Sequence, residues 1–232
     1  MAIHQPGYLP WLGFFKKMMN CDIFVYLDDA NFVKNNYYNR NHIRILNGIT
    51  WLTVPVIKGK ESKIKEVKID NTKNWAKKHK KSILFNYSKA EFFNEIKNFF
   101  EELYEKNFEL LIDLNMEIIE LIKKQLEIKT RTIFSSELKI KTSSIQRILD
   151  ICKTLDADHY ISGTVWAKNH LNINDFKNQG IHIEFQEFQH PVYKQYRRDF
   201  VPNMSIIDLL FNEGIKNSRK ILIKSQTTEP NY

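Results

Sequence analysis

The apolar positions in the first and last thirds of the chain fall in short runs that end at turn residues or aspartates, as in β-strands. The run over residues 23–27, for example, is rich in β-forming side chains and ends at Asp28 and Asp29. The predicted strands cover residues 2–4, 23–27, 133–138, 159–162 and 181–185.

A β-hairpin is predicted in the N-terminal part of the chain. Apolar runs at residues 43–46 and 49–56 flank the pair Asn47-Gly48. Both positions of a type I′ turn need a positive φ, which asparagine and glycine adopt most readily. A hairpin implies antiparallel pairing, so the expected sheet is mixed rather than purely parallel.

Between about residues 72 and 129 the apolar spacing changes to that of amphipathic helices. Their aromatic and aliphatic stripes are typical of ordinary core packing. The predicted helices lie near residues 12–19, 75–84, 92–103, 110–122, 144–155 and 206–212. Ser143 or Ser144 is the expected N-cap of the helix that ends near residue 155.

Together these elements predict a single α/β domain over residues 1–225. It has a mixed sheet, a β-hairpin in the N-terminal part and a mostly helical middle section. That helical lobe, at about residues 72–129, is inserted in the domain. Residues 226–232 are expected to form a disordered tail.

The composition is that of a globular protein without covalent or metal staples. The 232 residues are 43% hydrophobic, and the two cysteines, Cys21 and Cys152, are too few for a disulfide scaffold. No apolar run reaches the roughly 18–20 residues of a membrane span, and residues 1–17 lack the basic start of a secretory signal. We therefore expect a reduced, cytoplasmic protein with no membrane span.

The excess of positive charge is concentrated in one segment. The formal net charge is +8, and ten lysines but only three acidic residues lie between Lys58 and Lys81. Such a segment either attracts an anionic partner, such as a phosphate or an acidic carrier protein, or is a solvated lysine face. Arginine is scarce in the chain and Trp75 is the segment's one aromatic residue, so nucleic acid is not an expected partner.

Polar side chains follow four predicted strands, at the strand ends where open α/β sheets bind their ligands. The four groups are His4-Gln5, Asp28-Asp29, Ser162-Gly163 and Gln189-His190. His4 is either a general acid or base or a hydrogen-bonded structural residue. A role as general acid or base is favoured by the nearby side chains that can hydrogen-bond or stack on a ligand, namely Gln5, Tyr8 and Trp11.

Two other features leave alternatives open. Asp28 and Asp29 either hold a ribose hydroxyl, an ammonium group or a metal ion, or cap a turn. Arg40 follows Asn39 in an asparagine-rich loop and can grip a phosphate or a carboxylate, but such loops are also common turns. The sequence lacks zinc-ligand spacings, glycine-rich phosphate loops and a nucleophile elbow, so no metal site is predicted.

Several long motifs are more distinctive than their chemistry. They are AIHQPGYLPWLGFF at residues 2–15, NRN at 39–41, WLTVP at 51–55, YISG at 160–163, HPVYKQ at 190–195 and FVPNMSIIDLLFNEG at 200–214. With them the chain resembles the WbqC-like protein family from Ala2 to about Gly214, whereas the helical middle is similar only in general character. A role for His170 stays open, because the family more often has an aromatic residue there.

The resemblance implies a cytosolic bacterial protein of surface-polysaccharide, O-antigen or lipopolysaccharide biosynthesis. Related proteins accompany enzymes that make nucleotide-linked deoxy-amino sugars. The motif residues with useful chemistry are His4, Gln5, Tyr8, Asn39, Arg40, Ser162, His190, Tyr193, Gln195, Ser205, Asp208 and Asn212. Ser205 and Asp208 also have the spacing of a helix capping box, which is a structural alternative.

We therefore predict a transferase that moves an acyl or aminoacyl group to the amino group of a nucleotide-linked deoxy-amino sugar. The alternatives are a glycosyltransferase with Asp28-Asp29 at a metal ion, and a non-catalytic module that binds a sugar nucleotide or a carrier protein. No tightly bound cofactor is expected. The acyl donor is left open, with a thioester on an acidic acyl carrier protein or on coenzyme A as the candidate, and a homo-oligomer is compatible with the sequence.

The predicted site has a catalytic part and a substrate-binding part. His4 and His190 are the predicted catalytic residues. The predicted substrate-binding residues are Gln5, Tyr8, Trp11, Asp28, Asn39, Arg40, Ser162, Tyr193 and Gln195.

Overall fold

The computed structural model describes residues 1–57, 62–163, 171–197, 199–225 and 227–228. The strands in these ranges are β1 (Ala2–His4), β2 (Ile23–Tyr26), β3 (Arg40–Ile45), β4 (Gly48–Thr53), β5 (Val56–Ile57), β6 (Lys68–Ile69), β7 (Arg131–Phe134), β8 (His159–Gly163), β9 (His182–Phe188) and β10 (Thr227–Thr228). The helices are α1 (Leu12–Met19), α2 (Trp75–Tyr87), α3 (Phe93–Leu103), α4 (Leu111–Gln125), α5 (Ser144–Thr154), α6 (Ile173–Lys177) and α7 (Ile206–Lys224).

The centre of the fold is a parallel sheet with one antiparallel edge strand. The strand order is β10-β9-β8-β1-β2-β7, in which β10 pairs antiparallel with β9 and the other neighbours are parallel. Ala2 of β1 pairs with Phe24 on one side and with Ile161 on the other. The predicted α/β class and mixed sheet are therefore confirmed.

The order of the strands reverses between β1 and β8. From β1 the chain adds β2 and β7 on one side, and it then returns to add β8 and β9 on the other. Parallel strands place their carboxyl ends at the same edge of a sheet. A reversal of this kind therefore leaves a crevice between the ends of β1 and β8, which is where open α/β folds bind ligands.

The predicted hairpin is present, but it lies outside the main sheet. β3 and β4 form their own two-stranded sheet, with Ile45 paired to Gly48. The two-residue turn is thus Leu46-Asn47, one residue earlier than expected, because Gly48 rather than Asn47 takes the positive φ (114°). The antiparallel strand of the main sheet is β10 instead.

The two faces of the main sheet pack against different helices, because successive strand residues point to opposite faces. Ala2 belongs to the larger core cluster, which includes residues of α1, of the helical middle section and of α7. Ile3 belongs to the smaller cluster, built with α5 and α6. His4 follows the alternation, and its ring meets Phe14 of α1 edge-on, with 5.1 Å between centroids.

The predicted helices are present in the described part of the chain, and the last one is longer than expected. α7 continues to Lys224, with a kink at Gly214, where φ is +68°. A Cβ there would lie 2.5 Å from the Phe92 ring, so the backbone conformation and the packing both require glycine. Of the predicted disordered tail, Thr227 and Thr228 form β10, while residues 226 and 229–232 lie outside the described residues.

A buried carboxylate at Asp208 ties α7 to the rest of the core. Its Oδ1 accepts a hydrogen bond from the Tyr87 hydroxyl at 2.8 Å. Its Oδ2 accepts from the Tyr193 hydroxyl at 2.7 Å and from Gln195 Nε2 at 2.8 Å. Burial raises the pKa of Asp208, and these three donors oppose that rise. Ser205 caps the helix by accepting from the Ile207 N–H at 3.4 Å, but the Asp208 carboxylate binds the core donors instead, so the expected capping box does not form.

We expect Asp208→Asn to lower the free energy of unfolding by about 1–3 kcal/mol, because the amide group cannot accept from all three donors and leaves one unsatisfied. Urea denaturation measures the loss. The matched control is Asp199→Asn at an exposed aspartate, which should stay within about 0.5 kcal/mol of the parent. Equal stability of the two variants would show that the Asp208 carboxylate does not organise the core.

Candidate functional site

A large cavity opens at the carboxyl ends of β1, β2 and β8, at the reversal of strand order. It has a volume of about 1020 Å³. His4 and Gln5 line it after β1, Asp29 lines it after β2, and Ser162 and Gly163 line it at the end of β8. This is the position that the topology of an open α/β sheet favours for a ligand.

His4 is the residue on which the neighbouring cavities converge. It lines the 1020 Å³ cavity, a second of about 450 Å³ that includes Phe188 and Gln189, and a third of about 440 Å³ that includes Tyr37 and Asn41. Ligands in two different cavities would therefore both reach the imidazole ring.

The His4 ring is neutral at neutral pH, and its tautomer is fixed. Its Nδ1 lies 2.8 Å from the Gln5 carbonyl oxygen, so Nδ1 carries the proton and donates it to that acceptor. Nε2 is then left as an acceptor, with no hydrogen-bond partner among the described residues. Burial, followed by the positive charge of Lys17, lowers the pKa of His4 from 6.5 to about 4.

Lys17 is a site residue that the sequence pattern did not reveal. It is 5% exposed, lines the two larger cavities, and places its Nζ 3.6 Å from the position of a Cβ on Gly163. Burial lowers the pKa of its ammonium group to about 8. The available signal was its spacing: Lys17 follows Phe14 by three residues and so shares the buried face of α1.

One wall of the large cavity is basic, because Lys141 and Arg147 line it near the start of α5. Thr142, Ser143 and Ser144 bring the N-terminus of α5 to this wall. Arg147 of the same helix forms an ion pair with Asp29 and donates to the Thr142 carbonyl oxygen at 3.2 Å. These bonds fix the start of α5 against the end of β2.

Four predicted site residues meet in this region. His4, Gln5 and Ser162 line the large cavity, and Trp11 lines the two smaller ones. The Trp11 ring packs over Gly13, where a Cβ would come within 2.5 Å, and meets Phe188 edge-on at 5.3 Å.

Tyr8 and Asn39, predicted to bind substrate, lie instead in the core. Tyr8 is fully buried, and its hydroxyl contacts His79 Nδ1 at 2.8 Å and the Tyr104 hydroxyl. Asn39 is 1% exposed and donates to the Val54 carbonyl oxygen at 2.9 Å. Both side chains are occupied in holding the loops that precede α1 and β3, and neither lines a cavity beside His4.

Asp28 is likewise a structural residue. It is 4% exposed and accepts hydrogen bonds from the Ser135 hydroxyl and from both the backbone N–H and the hydroxyl of Ser136. Asp29 is engaged by Arg147 and by Ser135. Among the described residues no group of three potential metal ligands occurs, and this carboxylate pair already has protein donors.

The remaining predicted residues lie apart from the cavity. Arg40 stacks on the hairpin residue Trp51, with its guanidinium carbon 4.0 Å from the ring centroid. Tyr193 and Gln195 bind Asp208, as described above. His190 donates from Nδ1 to the Pro191 carbonyl oxygen at 2.9 Å and packs against Phe200. His190 does not line the cavities that His4 lines, and His170 lies outside the described residues.

The lysines of the lysine-rich segment lie in different environments. Lys63 and Lys65 line the large cavity, whereas Lys68 forms an exposed ion pair with Glu109 at 2.7 Å. Lys77 and Lys81 are exposed on α2, and residues 58–61 lie outside the described residues. No helix in the described ranges is long and apolar enough to cross a membrane.

The free energy of unfolding should fall as the pH decreases from about 6.5 to about 4. The pKa values of His4 and His79 are both lowered to about 4 by burial. The unfolded chain therefore binds their protons first, and the stability present above pH 6.5 is lost on acidification. His4→Gln should reduce the loss between about pH 7.5 and pH 5 by on the order of 1–2 kcal/mol.

Urea denaturation at the two pH values measures this effect. His182→Gln, at an exposed histidine, is the matched control and should keep the full pH dependence of the parent. A parent-like pH dependence in His4→Gln would contradict the neutral, buried state assigned to His4.

The comparisons with known proteins agree with the motifs. The model of the WbqC-like protein family matches residues 5–220. An uncharacterized protein of Mycobacterium tuberculosis is 35% identical over 218 residues, which cover 92% of this chain and 94% of that protein. No solved structure matches the chain. The family match spans the cavity residues from Gln5 onward and the Asp208 network, and the chain belongs to the WbqC-like protein family.

Proposed function

We propose that this protein is a transferase of bacterial surface-glycan biosynthesis, acting in the cytoplasm on a nucleotide-linked deoxy-amino sugar. The reaction forms an amide between an acyl or aminoacyl group and the sugar amino group. One observation carries the proposal: His4 lies where three cavities meet, so a donor and an acceptor bound in separate cavities would come together at one imidazole.

The state of His4 suits a general base. A sugar ammonium group must lose a proton before its nitrogen can attack a carbonyl carbon. The His4 imidazole is neutral at physiological pH, and its protonated Nδ1 is held by the Gln5 carbonyl oxygen, so Nε2 is the atom that accepts a proton. A ligand phosphate near the ring would raise the low pKa of His4 and strengthen it as a base.

The chemical step needs no redox cofactor. The amine nitrogen attacks the carbonyl carbon of a thioester, the C–N bond forms, and the C–S bond breaks. The sugar nitrogen loses two protons: His4 passes the first from the ammonium group to bulk water before the attack, and it takes the second from the attacking nitrogen and returns it to the departing thiolate. The donor in this proposal is a thioester on coenzyme A or on an acidic carrier protein, and the basic wall of the large cavity suits the phosphates of either substrate.

The structure favours this reaction over a metal-assisted glycosyl transfer. A glycosyltransferase that used Asp28 and Asp29 at a metal ion would first have to break their bonds to Ser135, Ser136 and Arg147. A non-catalytic binding module would use the same cavities but would not require a base at their junction.

We expect His4→Gln to slow amide formation by about 10²–10⁴-fold, the usual effect of removing a positioned general base. UDP- and dTDP-linked amino sugars are incubated with acyl-coenzyme A and acyl-carrier thioesters, and mass spectrometry follows the N-acylated product. His190→Gln is the control, because His190 lines none of the three cavities, and it should retain nearly full activity.

Two outcomes would contradict the proposal. Full turnover by a correctly folded His4→Gln variant would make His4 structural. Saturable binding of amino-sugar nucleotides with no product from any donor would favour the binding module.

A further inference from the structure

We infer that the large cavity holds a diphosphate subsite between Lys17 and the N-terminus of α5. This inference rests on the proposed function and deepens it, because it orients the ligand. The diphosphate lies against the basic wall, and the group linked to it points toward His4.

The buried ammonium group of Lys17 is the first argument. No described residue accepts a hydrogen bond from its Nζ, although the side chain is 5% exposed and lines the cavity. Its neighbour Lys16 is buried to a similar degree, but Lys16 Nζ donates to the Ile223 carbonyl oxygen at 3.0 Å. A cation buried beside a cavity is stabilised when an anion enters that cavity, since the ion loses water on burial and gains a charged partner on binding.

The start of α5 is the second argument. The first N–H groups of a helix have no partner within it and carry partial positive charge, so they bind phosphate. The Ser143 side chain makes no capping hydrogen bond, and Ser143 and Ser144 line the same cavity as Lys17. Arg147 holds this start in place through Asp29 and the Thr142 carbonyl oxygen.

The charge of the lining is the third argument. Five cationic side chains line the cavity, and only two acidic ones do: Lys17, Lys63, Lys65, Lys141 and Arg147 against Asp29 and Glu66. Asp29 is neutralised by Arg147, and Glu66 accepts from the Lys63 backbone N–H at 3.1 Å. The field in the cavity is therefore positive and raises the local concentration of a polyanion.

Calorimetric titration with inorganic pyrophosphate tests the subsite on the full chain. We expect saturable binding that Lys17→Met weakens about 10–100-fold, the effect of one lost charge-assisted contact. Lys16→Met is the matched control and should bind like the parent, since its Nζ faces α7. Absence of binding by the parent, or equal affinity in the parent and in a folded Lys17→Met variant, would overturn the inference; thermal melting confirms folding.

Competition then separates the two sources of a diphosphate. A UDP-linked amino sugar should displace pyrophosphate from the parent, and Lys17→Met should weaken its binding as well. If coenzyme A displaces pyrophosphate and the UDP-linked amino sugar does not, the proposed orientation of the sugar nucleotide is wrong, because the subsite then binds the diphosphate of the acyl donor.

The experiments distinguish a failure of the proposed diphosphate subsite from a failure of the proposed transferase activity. Lys17-dependent pyrophosphate binding without any amide product would support the diphosphate subsite and contradict the proposed transferase activity.

Discussion

The position of β1 between β2 and β8 is the constraint on which the candidate site depends. This three-residue strand is paired on both sides, and His4 continues the pairing through its carbonyl oxygen, which accepts from the Leu27 N–H at 2.9 Å. Because the order of strands reverses beside β1, its carboxyl end opens into a crevice instead of being covered by the next connection. His4 is consequently held by the sheet yet placed at the junction of the cavities.

The motifs shared with the WbqC-like family serve two different physical purposes. The opening motif contributes His4, Gln5 and Trp11 to the lining of the cavities, whereas its Tyr8 is buried in the core and contacts His79. The closing motifs build the Asp208 network, which packs α7 against the helical middle section. Motif residues are therefore divided between the lining of the cavities and the scaffold that holds this lining in place.

The pattern of apolar residues predicted the structural features that depend on neighbouring residues in the sequence. The helices and the hairpin follow from the apolar spacing and from glycine at residue 48, and His4 and Ser162 were found because they follow apolar strands. The sequence could not place the hairpin outside the main sheet or add β10 to its edge, because both depend on long-range pairing.

The same limit explains the site residues that were missed or misplaced. Lys17 was not among the predicted site residues, because the burial of nearly the whole of α1 depends on tertiary packing. Tyr193 and Gln195 were expected at the substrate because nothing local reveals that their partner, Asp208, lies in the core. The lining of the large cavity combines residues of α5, the segment after β2 and Lys63, which are far apart in the chain.

Hydrogen–deuterium exchange with and without a saturating UDP-linked amino sugar tests most directly whether the ligand binds at the reversal of strand order. The account predicts slower exchange in two separate segments, residues 5–11 after β1 and residues 141–147 at the start of α5. Gln5 and the start of α5 line the large cavity, and Gly7, Pro10 and Trp11 line the neighbouring cavity that His4 shares. Protection confined to the hairpin or to the lysine-bearing face of α2, with both segments unchanged, would contradict it.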